Sequence, residues 1–274
     1  MTLRDPWLVA LDIDGTIMHE DGRIDPLVTE TINHVRALGH RVTLATGRNW
    51  PETRPVLDSL GLEPEFIVCS NGAVTMRRDA TAEHHYARWN VAVFDPREVL
   101  TRIAPMLVTG QYMVELEDGQ ILYTGTLGAH LPGVAREVRF EELLEAPATR
   151  VVVYSPDHTD GDFAELIGGL GLHQVSYAIG WTAWLDIAPE GINKAIALER
   201  VRDLLGFASD RVLAVGDGRN DLEMLEWAGR AGRSAAMGQA PDEVRQAASE
   251  VVPSVHENGL VAALNALPQR DATP

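Results

Sequence analysis

At 274 residues, 45% of them hydrophobic and 23% charged, the chain is long enough to bury a large core in two domains and has the composition of an ordinary soluble globular protein. Its net charge of −17, from 23 basic and 40 acidic residues, argues against the basic face that nucleic acid or an anionic membrane requires. One cysteine, Cys69, excludes an internal disulfide and a cysteine-rich metal site. Asp5-Pro6 interrupts any basic-then-apolar leader, and no apolar run is long enough to span a bilayer, so a soluble cytoplasmic location is expected.

Trp7 to Ile13 reads as a central strand, apolar on both faces, whose run Leu8-Val9-Ala10-Leu11 breaks into Asp12-Ile13-Asp14-Gly15-Thr16. Two carboxylates at a strand tip suit a hard cation such as Mg²⁺ and acid/base or nucleophilic work on phosphate. Taken alone they equally describe an acidic turn that caps the next helix. Asp25-Pro26 starts a helix along Val28, Ile32, Val35 and Leu38, which Gly39 ends. Arg41 to Ala45 is a second strand followed by Thr46-Gly47-Arg48, Pro51 to Leu60 a helix closed by Gly61, and Phe66 to Cys69 a third strand. This is a βαβαβ, doubly wound unit with a parallel sheet.

The pattern changes after Thr81. Met113–Leu116 and Ile121–Tyr123 flank Asp118-Gly119, a hairpin signal. A short helix is expected over Val138–Glu145, a strand over Arg150–Tyr154, a helix over Asp162–Leu170, and strands over Gln174–Ala178 and Ala183–Ile187. Residues 82–187 therefore read as an inserted α+β domain with an antiparallel sheet, set into a core made of 1–81 and 188–274. The core resumes with a helix over Ile192–Leu205 that carries Lys194, a strand over Arg211–Val215 followed by Gly216-Asp217-Gly218-Arg219-Asn220-Asp221, and a helix over Leu222–Ala228. A strand Ala235–Met237 and helices over Pro241–Ala248 and Leu260–Leu267 follow, and Gln269–Pro274 is expected to fray.

Four segments, Asp12–Thr16, Thr46–Arg48, Pro189–Ala195 and Gly216–Asp221, resemble in order and context the motifs of the haloacid dehalogenase superfamily of aspartate-based phosphohydrolases. Ser70-Asn71-Gly72-Ala73 and Asn258-Gly259-Leu260-Val261 are similar to its Cof-type branch, which carries a large inserted cap; the branch often has glycine where this chain has Ala195. The resemblance implies an α/β Rossmann-like core and a Mg²⁺-dependent phosphatase of a small phosphorylated metabolite, a sugar phosphate among the candidates, working through an aspartyl-phosphate. In that reading Asp12 is the nucleophile and Asp14 the general acid/base. Asp12, the Asp14 carbonyl and Asp217 hold the metal. Thr46, Gly47, Arg48, Lys194 and Asn220 bind phosphate, with the Thr46 hydroxyl and free backbone N–H groups forming an oxyanion site. Asp221 either holds the metal's water or orients Lys194.

Each residue also has a plainer reading. Asn220 and Asp221 would cap a helix, and Arg48 would pair with an acidic cap residue. Thr16, Trp181 and Trp184 are structural, Cys69 is a buried core thiol, His84-His85 are surface or hinge residues, and Asn71-Gly72 line the cap entrance. The competing functions are a phosphomutase on the same fold, a catalytically idle ligand-binding protein, and a glycosyltransferase that uses Asp-x-Asp for a nucleotide sugar.

Overall fold

Strands β1 (Leu8–Leu11) and β2 (Arg41–Leu44) are followed by β3 (Phe66–Cys69), β4 (Val74–Arg78) and β5 (Tyr86–Val91). Next come β6 (Gln111–Leu116), β7 (Ile121–Tyr123), β8 (Ala135–Glu137), β9 (Ala148–Tyr154), β10 (Val175–Ile179) and β11 (Trp184–Pro189). The last strands are β12 (Val212–Gly216), β13 (Arg233–Ala236) and β14 (Glu250–Val251), and a helix, Gly259–Asn265, follows them. The computed structural model describes residues 6–107, 109–126, 135–155, 157, 175–179 and 184–268. The expected helix Asp162–Leu170, Trp181, the side chain of Trp184 and the tail Gln269–Pro274 lie outside the described residues.

The core is a five-stranded parallel sheet in the order β14-β13-β12-β1-β2. Side chains of β1 alternate between two apolar clusters. Val9 and Leu11 pack with Ile32, Val35 and Leu260, whereas Leu8 and Ala10 pack with Leu198, Val201 and Leu225. Helices therefore cover both faces, the condition under which a parallel sheet is stable. Helix α1 (Pro26–Leu38) begins where Asp25 accepts the Leu27 N–H at 2.8 Å and ends at Gly39 with φ 113°. Helix α2 (Trp50–Leu60) is capped by Asn49.

The third strand lies parallel beside the end of β2, as the doubly wound unit expects, but takes most of its ladder bonds elsewhere. β3 touches the tip of β2 through a single bridge, Ala45 with Val68, and then leads a separate antiparallel sheet β3-β4-β5. The turn at Ser70, Asn71 and Gly72 folds the chain back so that β4 takes the ladder bonds of β3. Consequently the 81/82 boundary falls inside the β4–β5 hairpin, and the chain reaches the next sheet after Ala92.

That sheet has six strands in the order β10-β11-β9-β6-β7-β8, antiparallel except for β7 with β8. The Asp118-Gly119 hairpin joins β6 and β7 as expected. Helix α3 (Arg97–Ile103), which the sequence reading missed, covers one face through Val99, Leu100 and Ile103. The helix expected over Val138–Glu145 is a 3₁₀ segment, Phe140–Leu144, because Pro147 follows too soon for a longer element. The helix Lys194–Leu205 starts two residues later than expected, since Asn193 caps it by accepting the Ile196 N–H. Among the described residues no helix is long and apolar enough to cross a membrane.

Candidate active site

Three adjacent parallel strands end on one rim of the core sheet, and each delivers a polar residue there. Asp12 follows β1, Thr46 lies two residues past β2, and Asp217 follows β12. The Asp12 N–H donates to the Val215 carbonyl at 3.0 Å, so the ladder fixes the backbone that carries this carboxylate. The chain then turns at Gly15 with φ +74°, where a Cβ would lie 2.1 Å from Asp217 Oδ2. Only glycine permits both that conformation and that approach.

Lys194, on the first turn of its helix, is fully buried and donates from Nζ to Asp12 Oδ1 at 2.7 Å and Asp221 Oδ1 at 2.6 Å. Burial opposes its charge, but Asp12 and Asp221 outweigh that and hold the ammonium above its ordinary value. Burial, reinforced by Asp221 and opposed by Lys194, raises the Asp12 carboxyl well above the usual carboxylate range. Burial and Asp221 push Asp217 up to about 7.

Carboxylate oxygens of Asp12, Asp217 and Asp221 lie within 4.8 Å of one another. Three carboxylates facing one ammonium leave an excess of negative charge in a buried place, and every donor is oxygen. That set fits a hard divalent cation. Asp221 is not an open ligand, because Lys194 takes Oδ1 and the N–H groups of Asp217 and Gly218 donate to Oδ2, both at 3.0 Å. It closes the Gly216–Asp221 turn and aims Lys194, and it does not cap the helix Leu222–Gly229. Gln239, which the sequence reading missed, donates to the Gly15 carbonyl at 2.6 Å and to Asp217 Oδ2 at 3.1 Å, and so holds the two acidic loops together.

At the second strand tip the expected free N–H groups are largely spent. The Thr46 N–H donates to Val68 O at 2.9 Å, and the Arg48 N–H donates to Thr46 Oγ1 at 3.1 Å. The Gly47 N–H and the Thr46 hydroxyl proton remain for a ligand. Arg48 grips exposed Asp14 with two bonds, Nε to Oδ2 at 2.8 Å and Nη2 to Oδ1 at 2.5 Å, rather than an acidic residue of the inserted sheet.

Asn220 does not cap a helix either; its amide donates to Asn71 Oδ1 at 2.9 Å. Asn71 in turn donates to Asp186 Oδ2 at 3.1 Å on β11, and buried Arg150 of β9 donates to Asp186 Oδ1 at 2.8 Å. Ser70 and Asn71 are held at φ 48° and 51°, a left-handed turn that costs about 1–2 kcal/mol per non-glycine residue. A second link runs from Ser70 Oγ to buried Glu115 of β6 at 2.9 Å, and Arg88 of β5 meets the other Glu115 oxygen at 2.8 Å. Thr16 and Cys69 are buried, and His84-His85 form the β4–β5 turn.

The structure thus gathers Asp12, Lys194, Asp217 and Asp221 into one contact cluster, with Asp14 and Arg48 paired beside Thr46 and Gly47. Residues 9–264 match the family described as haloacid dehalogenase-like hydrolase. The chain is 26% identical over 265 residues to the 5-amino-6-(5-phospho-D-ribitylamino)uracil phosphatase YitU of Bacillus subtilis (strain 168), covering 93% of this chain and 95% of that one. It is 26% identical over 264 residues to the pyridoxal phosphate phosphatase YbhA of Escherichia coli (strain K12), covering 89% and 92%. Among solved structures, the HAD subclass IIB sugar phosphatase BT4131 superimposes with a TM-score of 0.79 at 21% identity, covering 94% of this chain and 98% of that one.

Proposed function

The chain belongs to the haloacid dehalogenase-like hydrolase family, and from that premise we propose that it is a Mg²⁺-dependent phosphatase of small phosphorylated metabolites acting in the cytoplasm. The observation that carries the reading is the buried contact of Lys194 with Asp12, beside Asp217. The Asp12 and Asp217 carboxylates with the Asp14 carbonyl would hold Mg²⁺, which when bound supplies charge neutralisation for the phosphoryl group.

Lys194 holds Asp12 Oδ1, so Oδ2 is the oxygen that attacks phosphorus. The new Asp12–phosphorus bond forms as the ester P–O bond breaks, and Asp14, once released from Arg48 and protonated from solvent, gives that proton to the leaving oxygen. Water then attacks the phosphoaspartate at phosphorus and Asp14 takes its proton, which releases inorganic phosphate and restores Asp12. Arg48, the Thr46 hydroxyl and the Gly47 N–H would take the phosphoryl oxygens. A phosphoryl group competing for Arg48 frees Asp14 for the leaving group.

The inserted domain, which the chain enters after Ala92, would select the metabolite by closing over this rim. Curated relatives named as phosphatases of different metabolites favour hydrolysis over a phosphomutase. Release of inorganic phosphate from a panel of sugar phosphates, pyridoxal phosphate and an aryl phosphate tests the reading. Asp12→Asn should lower turnover by about 10⁴-fold or more while the fold persists. EDTA should stop the wild-type reaction and Mg²⁺ restore it. Full activity of either the variant or the stripped protein would overturn the mechanism.

A further inference from the structure

Away from the acidic rim, His19, Glu20 and His256 place ligand atoms within 4.8 Å of one another. His19 Nδ1 lies 3.2 Å from His256 Nδ1, with ring planes tilted by 40°. Glu20 Oε2 is 3.5 Å from His256 Nε2. His19 is buried, whereas Glu20 and His256 face solvent, so an ion has an entry path.

Two imidazole nitrogens bound at ~2.0–2.1 Å to one tetrahedral ion lie roughly 3.3–3.4 Å apart. The observed spacing needs almost no adjustment to reach that geometry. Imidazole donors suit Zn²⁺, Cu²⁺ or Ni²⁺, unlike the all-oxygen set around Asp12, so the two clusters would sort cations by ligand softness.

We propose that the facing Nδ1 atoms of His19 and His256 bind a transition-metal dication of the Zn²⁺ class, with water completing the shell, while Glu20, beside the far nitrogen Nε2 of His256, orients that ring. The ion would brace two segments that both reach the acidic rim. His19 follows Met18, whose carbonyl accepts the Gly15 N–H at 2.8 Å. His256 follows Val255, whose N–H donates at 3.0 Å to Gln239, the residue that holds Asp217.

Protein saturated with Mg²⁺ is titrated with Zn²⁺ by equilibrium dialysis, and with Co²⁺ as a visible reporter of tetrahedral nitrogen ligation. Wild type and Asp217→Asn should each take up an equivalent that His256→Gln and His19→Gln lack, with the Co²⁺ bands disappearing in the same two variants. The exposed position of His256, 62% at the side chain, keeps the His256→Gln fold and its Mg²⁺-dependent activity intact. Equal Zn²⁺ uptake by His256→Gln and wild type, no uptake by wild type, or loss confined to Asp217→Asn would overturn the site.

Discussion

Lys194 and Asp221 meet at 2.6 Å with neither side chain reaching solvent. An ion pair so deeply buried is a poor source of net stability, because both partners surrender hydration. What it secures is position. Lys194 keeps a fixed contact with Asp12, and the turn that carries Asp217 is pinned through the second Asp221 oxygen.

Asp221→Asn therefore acts at one remove from the chemistry. One carbonyl oxygen cannot serve both Lys194 and the N–H groups of Asp217 and Gly218. Turnover should fall about 10–100-fold and the Mg²⁺ requirement should rise. Steady-state kinetics across Mg²⁺ concentration reads both, and an unchanged Mg²⁺ profile would contradict this positioning role.

Lys194→Met keeps the bulk and removes the charge, which leaves Asp12 and Asp221 facing each other without a cation. The metal-free protein should lose about 3–5 kcal/mol of stability, seen as a lower urea midpoint, along with its activity. Mg²⁺ should recover part of that stability because it binds only the folded state.

Asn71→Asp tests the link between the two sheets. A carboxylate in place of the amide would sit against Asp186 Oδ2, where the Asn71 amide now donates at 3.1 Å. Repulsion should hold the inserted domain off the rim and raise KM roughly tenfold, about 1.4 kcal/mol. Small-angle scattering should show a larger radius of gyration, and high salt should reduce both effects.

Burial pushes the Cys69 thiol up to about 12. The native protein should therefore resist thiol reagents at pH 8, where the unfolded chain reacts readily. Between the unfolded value of 9.0 and about 12 the folded state binds more protons, so stability should fall as pH rises through that window. Urea midpoints at pH 8, 10 and 11 follow it, with Cys69→Ala as the control for other groups.

Much of the rim was legible because apolar runs ended at it. Leu8–Leu11 and Val212–Val215 are buried throughout, and each leads directly to an acidic tip. Gln239 gave no such signal, since its amide joins Gly15, 224 residues away, to Asp217. The β4–β5 hairpin escaped for a different reason: His84 and His85 make its turn at φ 55° and 62°, without the glycine or asparagine that marks such turns. The Arg150–Asp186 pair joins β9 and β11, the two strands of the inserted sheet that flank residues largely outside those described, and neither residue belongs to a local motif.

Asp12, Asp14, Asp217, Asp221 and the Thr46–Arg48 turn follow the carboxyl ends of core strands, and Lys194 reaches the same rim from the first turn of its helix, so the opposite margin of that sheet lies away from the site. Gly61 and Gly206 close helices there, and nothing lies within 4 Å of a Cβ built on either. A reporter peptide or an immobilisation handle spliced after one of them would leave the substrate end facing freely outward. The molecule thus has a working pole and a handling pole, separated by the length of the core strands.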